Sequence, residues 1–460
     1  MDENKSNDNV DIIRGDPKEA IRKLAPPLII SLLIMSLYNI IDRIWIAGLG
    51  TEPLAALGFV APLYMVIVGL GNGLGAGANS LISRYIGSNN YNEASNAGIH
   101  GLLIVVLFSI LIPIIIIPFL KPIIVLIGAS EVLTYAESYI SIIFIGTFAF
   151  LLNGLFANQL RAEGDVKRST FIMVSGGIIN IVLDPVMIYL LNFGLTGAAY
   201  STVISNIIPD LLAVYWLYIS KSTYLDYGIN RFKFKWTVIK DLLAVGIPAS
   251  IEELIMAVVN IVTNGMLSIV AGTAIVASFT SAFSIIEIAT MPTVGVGIAA
   301  ITVAGVAFGE RNYNKLKTTG HYSIKLSLIV SCISLIIIYL FAPQIAYLFA
   351  YGSNSGSLNT LIVQCLRDLS LFLIAGAIGI VSANVLQGMG KGTMSLILTV
   401  NREVILILLF SYILGFVFSW GVKGILYGMT IGVLVGSLVA LLVFELYLKR
   451  FKEIELRGTH

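Results

Sequence analysis

Charge is scarce in this chain. Asp, Glu, Lys and Arg make up 12% of its 460 residues, against about 25% in soluble domains, which excludes an ordinary soluble protein. A formal net charge of +2 leaves neither a basic surplus for nucleic acid nor an acidic tail. With two cysteines there is no disulfide framework, and because Cys332 and Cys365 both fall in apolar stretches each is expected to be a small buried hydrophobe. His100 and His321 fall where helices are expected to begin and His460 is terminal, so no metal-ligand spacing exists. No serine and histidine pair, catalytic aspartate motif or zinc helix is present, which argues against an intramembrane enzyme. Residues 1 to 24 are too polar for a cleavable signal and run directly into a full-length apolar stretch.

What is abundant is apolar sequence: 57% hydrophobic residues and a mean hydropathy of +0.93. Stretches long enough to cross a bilayer, about 20 residues each, lie at 25–48, 55–83, 98–120, 135–160, 169–193, 195–219, 242–269, 274–307, 321–343, 359–386, 394–419 and 424–447. Twelve spans put both termini on one side. Of the 28 Lys and Arg, 22 fall on that side and only Lys121 and Lys423 in the opposite loops, which predicts cytoplasmic termini.

The chain repeats itself. A shift of 222 residues brings Gly87, Asn90, Tyr91, Asn92 and Gly98 onto Gly309, Asn312, Tyr313, Asn314 and Gly320, and Pro26 onto Pro248. A shift of 227 brings Gly194, Gly197 and Tyr200 onto Gly421, Gly424 and Tyr427. Two copies of a six-helix unit share one orientation, a plan known in transporters. The expected fold is an all-α polytopic membrane protein, with two pseudosymmetric six-helix lobes around a central cavity. Its parts are a cytoplasmic arm at 1–24, an N-lobe at 25–219, a cytoplasmic linker at 220–241, a C-lobe at 242–447 and a cytoplasmic tail at 448–460. The glycine-rich stretch GLGNGLGAGAN at 69–79 follows no strand and carries no lysine, so it marks close helix packing rather than a phosphate loop.

A charge in a bilayer core is costly, so each acid there is a candidate for function. These are Asp42, Asp184, Asp210, Glu252, Glu253, Glu287, Asp368 and Glu403. At 1.5 Å per residue, Asp42 and Asp184 lie about 22 to 26 Å from the cytoplasmic face, and Thr202, on a span running inward, shares that level. Asn180 stands four residues before Asp184, on the same helical face. Two carboxylates, an amide and a hydroxyl thus supply hard oxygen ligands for a small cation, or a place for a shared proton. The structural alternative pairs Asp42 with Arg43 and makes Asp184 a kink partner of Pro185. Adjacent helical residues diverge, however, and Arg43 is free to snorkel outward. The repeat maps Asp42 onto Asn264 and Asp184 near Phe410 or Ser411, so the charged site is not duplicated. In the second lobe Glu252, Glu253, Glu287, Asp368 and Glu403 gather near the midplane, with Arg367 and Arg402 as partners. They are either structural ion pairs or a site for a cationic substrate or a second coupling ion.

Four stretches, LYNIIDRIWIAGLG at 37–50, LRAEGD at 160–165, NIVLDPVMIYLLNFGLTGAAYST at 180–202 and AFGERNYNKL at 307–316, resemble the multidrug and toxic compound extrusion family, in its archaeal and bacterial branch related to the DNA-damage-inducible subgroup. The resemblance implies a V of two lobes that exports drugs in exchange for H⁺ or Na⁺. It implies a cation site at Asp42, Asn180, Asp184 and Thr202, and a cavity lined by Tyr38 and Tyr139. Where relatives carry an asparagine this chain has Ala157, with Asn158 adjacent, so that polar ligand is displaced or lost. Another branch uses an acid pair in the second lobe, but Met256 and Gly376 stand at the matching positions here.

The expected function is therefore secondary active multidrug export by alternating access, from a monomer in the cell membrane. Its partners are cationic or amphipathic small molecules and membrane lipids, with no cofactor besides the coupling ion. Tyr38, Tyr139, Asn158, Glu252, Glu253 and Glu287 are the substrate-cavity candidates. A flippase for lipid-linked oligosaccharide is the alternative, yet it calls for a basic cavity to hold a diphosphate. A channel is a further alternative, though two pseudosymmetric lobes suit alternating access better.

Overall fold

A computed structural model describes residues 3–220, 222–228, 230, 232–349 and 356–457. Lys221 and Arg231 of the linker and the terminal His460 lie outside the described residues. Among the described residues the regular structure is all helical. A short helix α1 (Glu3–Arg14) precedes twelve spans. They are α2 (Pro17–Ala47), α3 (Thr51–Gly87), α4 (Tyr91–Leu126), α5 (Ser130–Ile145 with Thr147–Ala162), α6 (Val166–Leu190), α7 (Gly194–Ile219), α8 (Trp236–Ala271), α9 (Thr273–Gly309), α10 (Tyr313–Tyr347), α11 (Leu358–Gly388), α12 (Gly392–Val417) and α13 (Gly421–Glu455).

The fold corrects the sequence reading in several places. The first span starts at Pro17, because Asp16 caps it by accepting from the Lys18 amide at 3.3 Å and proline suits a first helical turn. The arm before it holds the helix α1. Helix α5 bends by 48° at Gly146, where a Cβ would meet Val203 Cγ2 at 2.4 Å. The break lets α7 pack into the corner. His100 lies well inside α4, buried, where it takes the Lys235 amide at 3.1 Å. His321 likewise stands inside α10 and bonds Glu445 at 2.5 Å. Cys365 is buried as expected, but Cys332 is exposed.

The repeat is legible in the backbone. Gly50 and Gly272, 222 residues apart, share an unusual conformation (φ +114, ψ −177 and φ +75, ψ −168). Asn89 and Arg311 turn the corresponding loops with φ of 58° and 54°, as do Asn192 and Ser419 with 55° and 56°. Even the wide π turn at Val186–Leu190 returns as Ile413–Val417.

Glycine spacing decides how the lobes meet. On α3, Gly71 and Gly75 face α5 of the same lobe, where a Cβ would strike Phe150 O at 2.7 Å and Gly154 O at 2.4 Å. Gly73 and Gly77 face α8 of the other lobe, against the Ser250 amide at 2.3 Å and Leu242 O at 2.4 Å. A residue with a side chain at these points would force the helices apart. The symmetry-related Gly87 and Gly309 close the α3–α9 contact, against Val306 O at 2.1 Å and Arg84 O at 2.0 Å. Between these layers Ser80 Oγ donates to Gln387 O at 2.6 Å and Thr302 Oγ1 to Asn79 Oδ1 at 3.1 Å. All these contacts lie toward the end that carries the termini. Toward the opposite end, Gly58 and Gly265 have nothing within 4 Å of a Cβ, and Val258, Ile261 and Ile269 of α8 are exposed.

Candidate functional site

In the N-lobe, α2, α6 and α7 bring four polar residues to one point. Asp184 precedes Pro185, which has no amide hydrogen for the helix ladder, and the following turn widens into the π segment. Asp184 is fully buried, Asn180 is its neighbour one turn earlier, and Thr202 of α7 is 3% exposed. The Asn180 amide donates to Thr202 Oγ1 at 3.3 Å. With that amide rotated it donates instead to Asp184 Oδ2 at 2.8 Å and accepts from the Thr202 amide at 3.2 Å. Asp42 of α2 faces the same point, and its carboxyl and that of Asp184 are electrostatic neighbours. Asp42 Oδ1 is buried without a hydrogen-bond partner. Arg43 is exposed and does not bond Asp42.

Sequence reasoning missed two members. Ser201 Oγ donates to Asp184 Oδ1, although its neighbour Thr202 had been singled out; successive helical residues diverge by about 100°, and here both reach α6. Tyr64 of α3 is an electrostatic neighbour of Tyr38 and Asp42. Tyr38 and Tyr139 are buried around the same carboxyl pair. This makes an oxygen-rich cluster with aromatic neighbours. Asn158 is placed elsewhere: it is buried on α5, donating to Gly154 O at 2.9 Å and accepting from Arg161 at 3.4 Å.

The C-lobe acids divide. Arg402 donates to Glu403 at 2.5 Å although the two are adjacent in sequence, because the Val400–Leu406 stretch is a wide π turn rather than α-helix. Gly379 and Gly436 leave room for Arg402, since a Cβ at either would lie within 2.6 Å of it. Gln387 donates to Glu252 Oε2 at 2.8 Å, and Glu252 Oε1 is buried without a partner. Glu253 is exposed beside them, and Glu252, Glu253 and Glu403 are electrostatic neighbours. Exposed Glu287 has Asn260 and, from the other lobe, Arg43 as its electrostatic neighbours. Asp368 and Arg367 do not join this group. Asp368 accepts from Tyr427 at 3.1 Å in a separate pocket with Gln364 and Cys365, and Arg367 stacks 5.4 Å from the Tyr339 ring centre.

The family model described as MatE matches residues 27–186 and 248–421, one segment in each half. The multidrug export protein MepA of Staphylococcus haemolyticus is 25% identical over 416 residues, 90% of either chain. A solved structure described as the outward-facing conformation of a multidrug resistance MATE family transporter of the MOP superfamily has a TM-score of 0.94 and 36% identity, over 97% of this chain and 99% of that one. A MOP superfamily transporter from Pyrococcus furiosus, described as having a binding pocket of reverse polarity that suggests a different function, has a TM-score of 0.93 and 36% identity, over 96% and 98%.

Proposed function

Because this chain belongs to the MatE family of membrane transporters, we propose that it is a secondary active exporter of cationic or amphipathic drugs, driven by inward flow of H⁺ or Na⁺. It is a multi-pass membrane transporter and not an enzyme. The observation that carries the proposal is the neighbouring Asp42 and Asp184 carboxyls in one lobe, with Asp184, Asn180, Thr202 and Ser201 buried together. Two carboxylates side by side in an apolar surround repel each other and attract either a proton or a small hard cation.

The mechanism is alternating access. On this reading the packed end is cytoplasmic, as the distribution of Lys and Arg supports, and the opposite end opens outward from a monomer in the cell membrane. An ion entering from outside binds Asp42 and Asp184, removes their repulsion and draws α2 toward α6. Drug leaves, the lobes rock about the α3–α8 and α3–α9 contacts, and the ion is released inward. Coupling requires the ion and the drug to favour different states. The exposed Glu253 and Glu287, with Glu252 behind them, give the C-lobe wall a negative character suited to cationic substrates. That polarity speaks against a flippase for a lipid-linked diphosphate.

The test is export of a fluorescent cation from vesicles holding the purified protein, under proton and sodium gradients imposed one at a time. A wild-type export rate in both Asp42→Asn and Asp184→Asn would sink the proposal.

A further inference from the structure

At the end that carries the termini, a cavity of about 570 Å³ opens between the two lobes, lined by Lys18, Arg22, Lys317, His321, Tyr322 and Lys325 with two small polar residues. One wall is the first turns of α2, from the N-lobe, and the other is a single face of α10, from the C-lobe, since 314, 317, 318, 321, 322 and 325 recur at helical spacing. Five basic side chains line it and no carboxylate does. Arg22 is fixed across the lobe boundary, donating to Tyr322 Oη at 2.7 Å and lying 5.4 Å from that ring's centre. Lys18, Lys317 and Lys325 have no carboxylate within ion-pair distance among the described residues. The acids nearby are otherwise engaged: Glu445 bonds His321 at 2.5 Å, Glu19 pairs with Lys23 at 2.7 Å, and Asp16 caps α2.

Below the cavity the same face of α10 continues as an apolar strip. Ile329, Ile333, Ile336, Tyr339 and Leu340 are about half exposed or more, spaced so that they descend in line from Lys325. Lys325 stands at the top of this strip within an apolar stretch, with its stem on hydrocarbon and its ammonium in the cavity. A soluble anion would use only the basic upper part. A molecule with a phosphate head and acyl tails uses both.

We infer that this cavity binds the phosphate-bearing headgroup of an anionic phospholipid, with its acyl chains along α10 and its head bridging the N-lobe to the C-lobe. Basic pockets between membrane helices near the headgroup level suit such ligands. The site shares no residue with the carboxyl pair or the C-lobe acids, so it stands or falls apart from the proposed ion coupling.

The test uses the full chain reconstituted in phosphatidylcholine vesicles with and without phosphatidylglycerol, then extracted in neutral detergent, with retained phosphatidylglycerol counted by native mass spectrometry. Wild type is expected to keep one molecule. The triple variant Lys18→Gln, Lys317→Gln, Lys325→Gln is expected to need at least about tenfold more phosphatidylglycerol for the same occupancy. A control triple at the same end, Lys240→Gln, Lys449→Gln, Arg450→Gln, removes equal charge and should retain lipid as wild type does. A second variant, Asn314→Asp with Thr318→Glu, keeps every basic residue and should lose the lipid too, which guards against misfolding of the first. Equal retention in wild type and both groove variants overturns the inference. So does inorganic phosphate raising the melting temperature of lipid-free protein as far as phosphatidylglycerol does, which would make the ligand a free anion.

Discussion

The Tyr189 hydroxyl donates to the Trp45 carbonyl oxygen at 2.5 Å, tying α6 to α2 just beyond Asp184 on one helix and Asp42 on the other. The contact is close enough that a Cβ on Gly48 would lie 2.3 Å from the same hydroxyl. It holds the two carboxyl-bearing helices at one separation from the far side of the pair. Tyr189→Phe removes the bond and leaves the ring. A net hydrogen bond of about 0.5 to 1.5 kcal/mol predicts a loss of roughly two- to tenfold in apparent affinity for the coupling ion. The measurement is drug export as a function of proton or sodium concentration. An unchanged midpoint would show that the clamp does not set the geometry of the pair.

The carboxyl pair is expected to act as a unit. Asp42→Asn and Asp184→Asn should each lower gradient-driven export by at least about tenfold, and the double variant should be little worse than either, as groups that share one task are not additive. Drug binding in the absence of a gradient should persist, because the cavity wall remains. Multiplicative losses in the double variant would mean two independent sites.

The C-lobe acids should govern affinity rather than coupling. Glu253→Gln and Glu287→Gln are expected to raise the KM for a permanently charged dye several-fold, with little change for a neutral amphipathic one, since a single exposed charge contributes on the order of 1 kcal/mol. Equal effects on both dyes would point to a structural network instead.

Glycine substitutions separate the packed end from the open one. Gly73→Ala places a Cβ 2.3 Å from the Ser250 amide, whereas Gly58→Ala meets nothing within 4 Å. The first should lower the melting temperature and loosen the α3–α8 contact. The second should be neutral or slightly stabilising, by up to about 1 kcal/mol, because alanine suits a helix interior better than glycine. Melting of both in detergent tests this. Identical shifts would contradict the assignment of Gly73 to the lobe boundary.

Glu163, in the loop between α5 and α6, gives the linker a pH dependence. Its carboxyl accepts from the Tyr224 amide at 2.8 Å, the Leu225 amide at 3.4 Å and the Tyr227 hydroxyl at 2.6 Å, fastening the linker to the N-lobe. Burial pushes its pKa up from the usual 4.5 to about 7, against the pull of those three donors. A raised folded value means that the docked state favours the protonated form. Its contribution is complete below about 4.5 and is lost as pH rises through about 7. Hydrogen exchange at residues 222–228 should therefore quicken between pH 5 and pH 8 beyond the intrinsic chemical rate. Glu163→Gln should flatten that excess; a variant with the wild-type profile would assign it to another group.

Several features were legible in the sequence because they depend on spacing or composition. Twelve apolar stretches are a matter of length against bilayer thickness, and depth along a helix follows from its rise, which was enough to set Asp42, Asp184 and Thr202 at one level. A shared level does not give direction. Asn158 was placed at the cavity by its neighbourhood in the sequence, yet it faces the α3–α5 contact, and Asp368 shares a depth with Glu252 but sits in another pocket. Ser201 and Tyr64 were missed because an uncharged side chain in an apolar stretch carries no desolvation cost that singles it out.

By itself the sequence determined that this chain is a membrane protein, that it is a doubled six-helix unit, and that Asp42 and Asp184 of one copy have no aspartate counterparts in the other. These follow from hydropathy and repetition, which are properties of the chain read in order. Only the tertiary structure decided which glycines face the same lobe and which the other, that Arg402 can bond its neighbour Glu403, and that Asp42 meets Asp184 rather than Arg43. The physical reason is rotational: the azimuth of a side chain around its helix depends on local π turns, bends and crossing angles, and a one-residue change in winding moves a side chain by about 100°. Charge scarcity excluded a soluble fold at once, but the placement of the few charges present needed the packed helices.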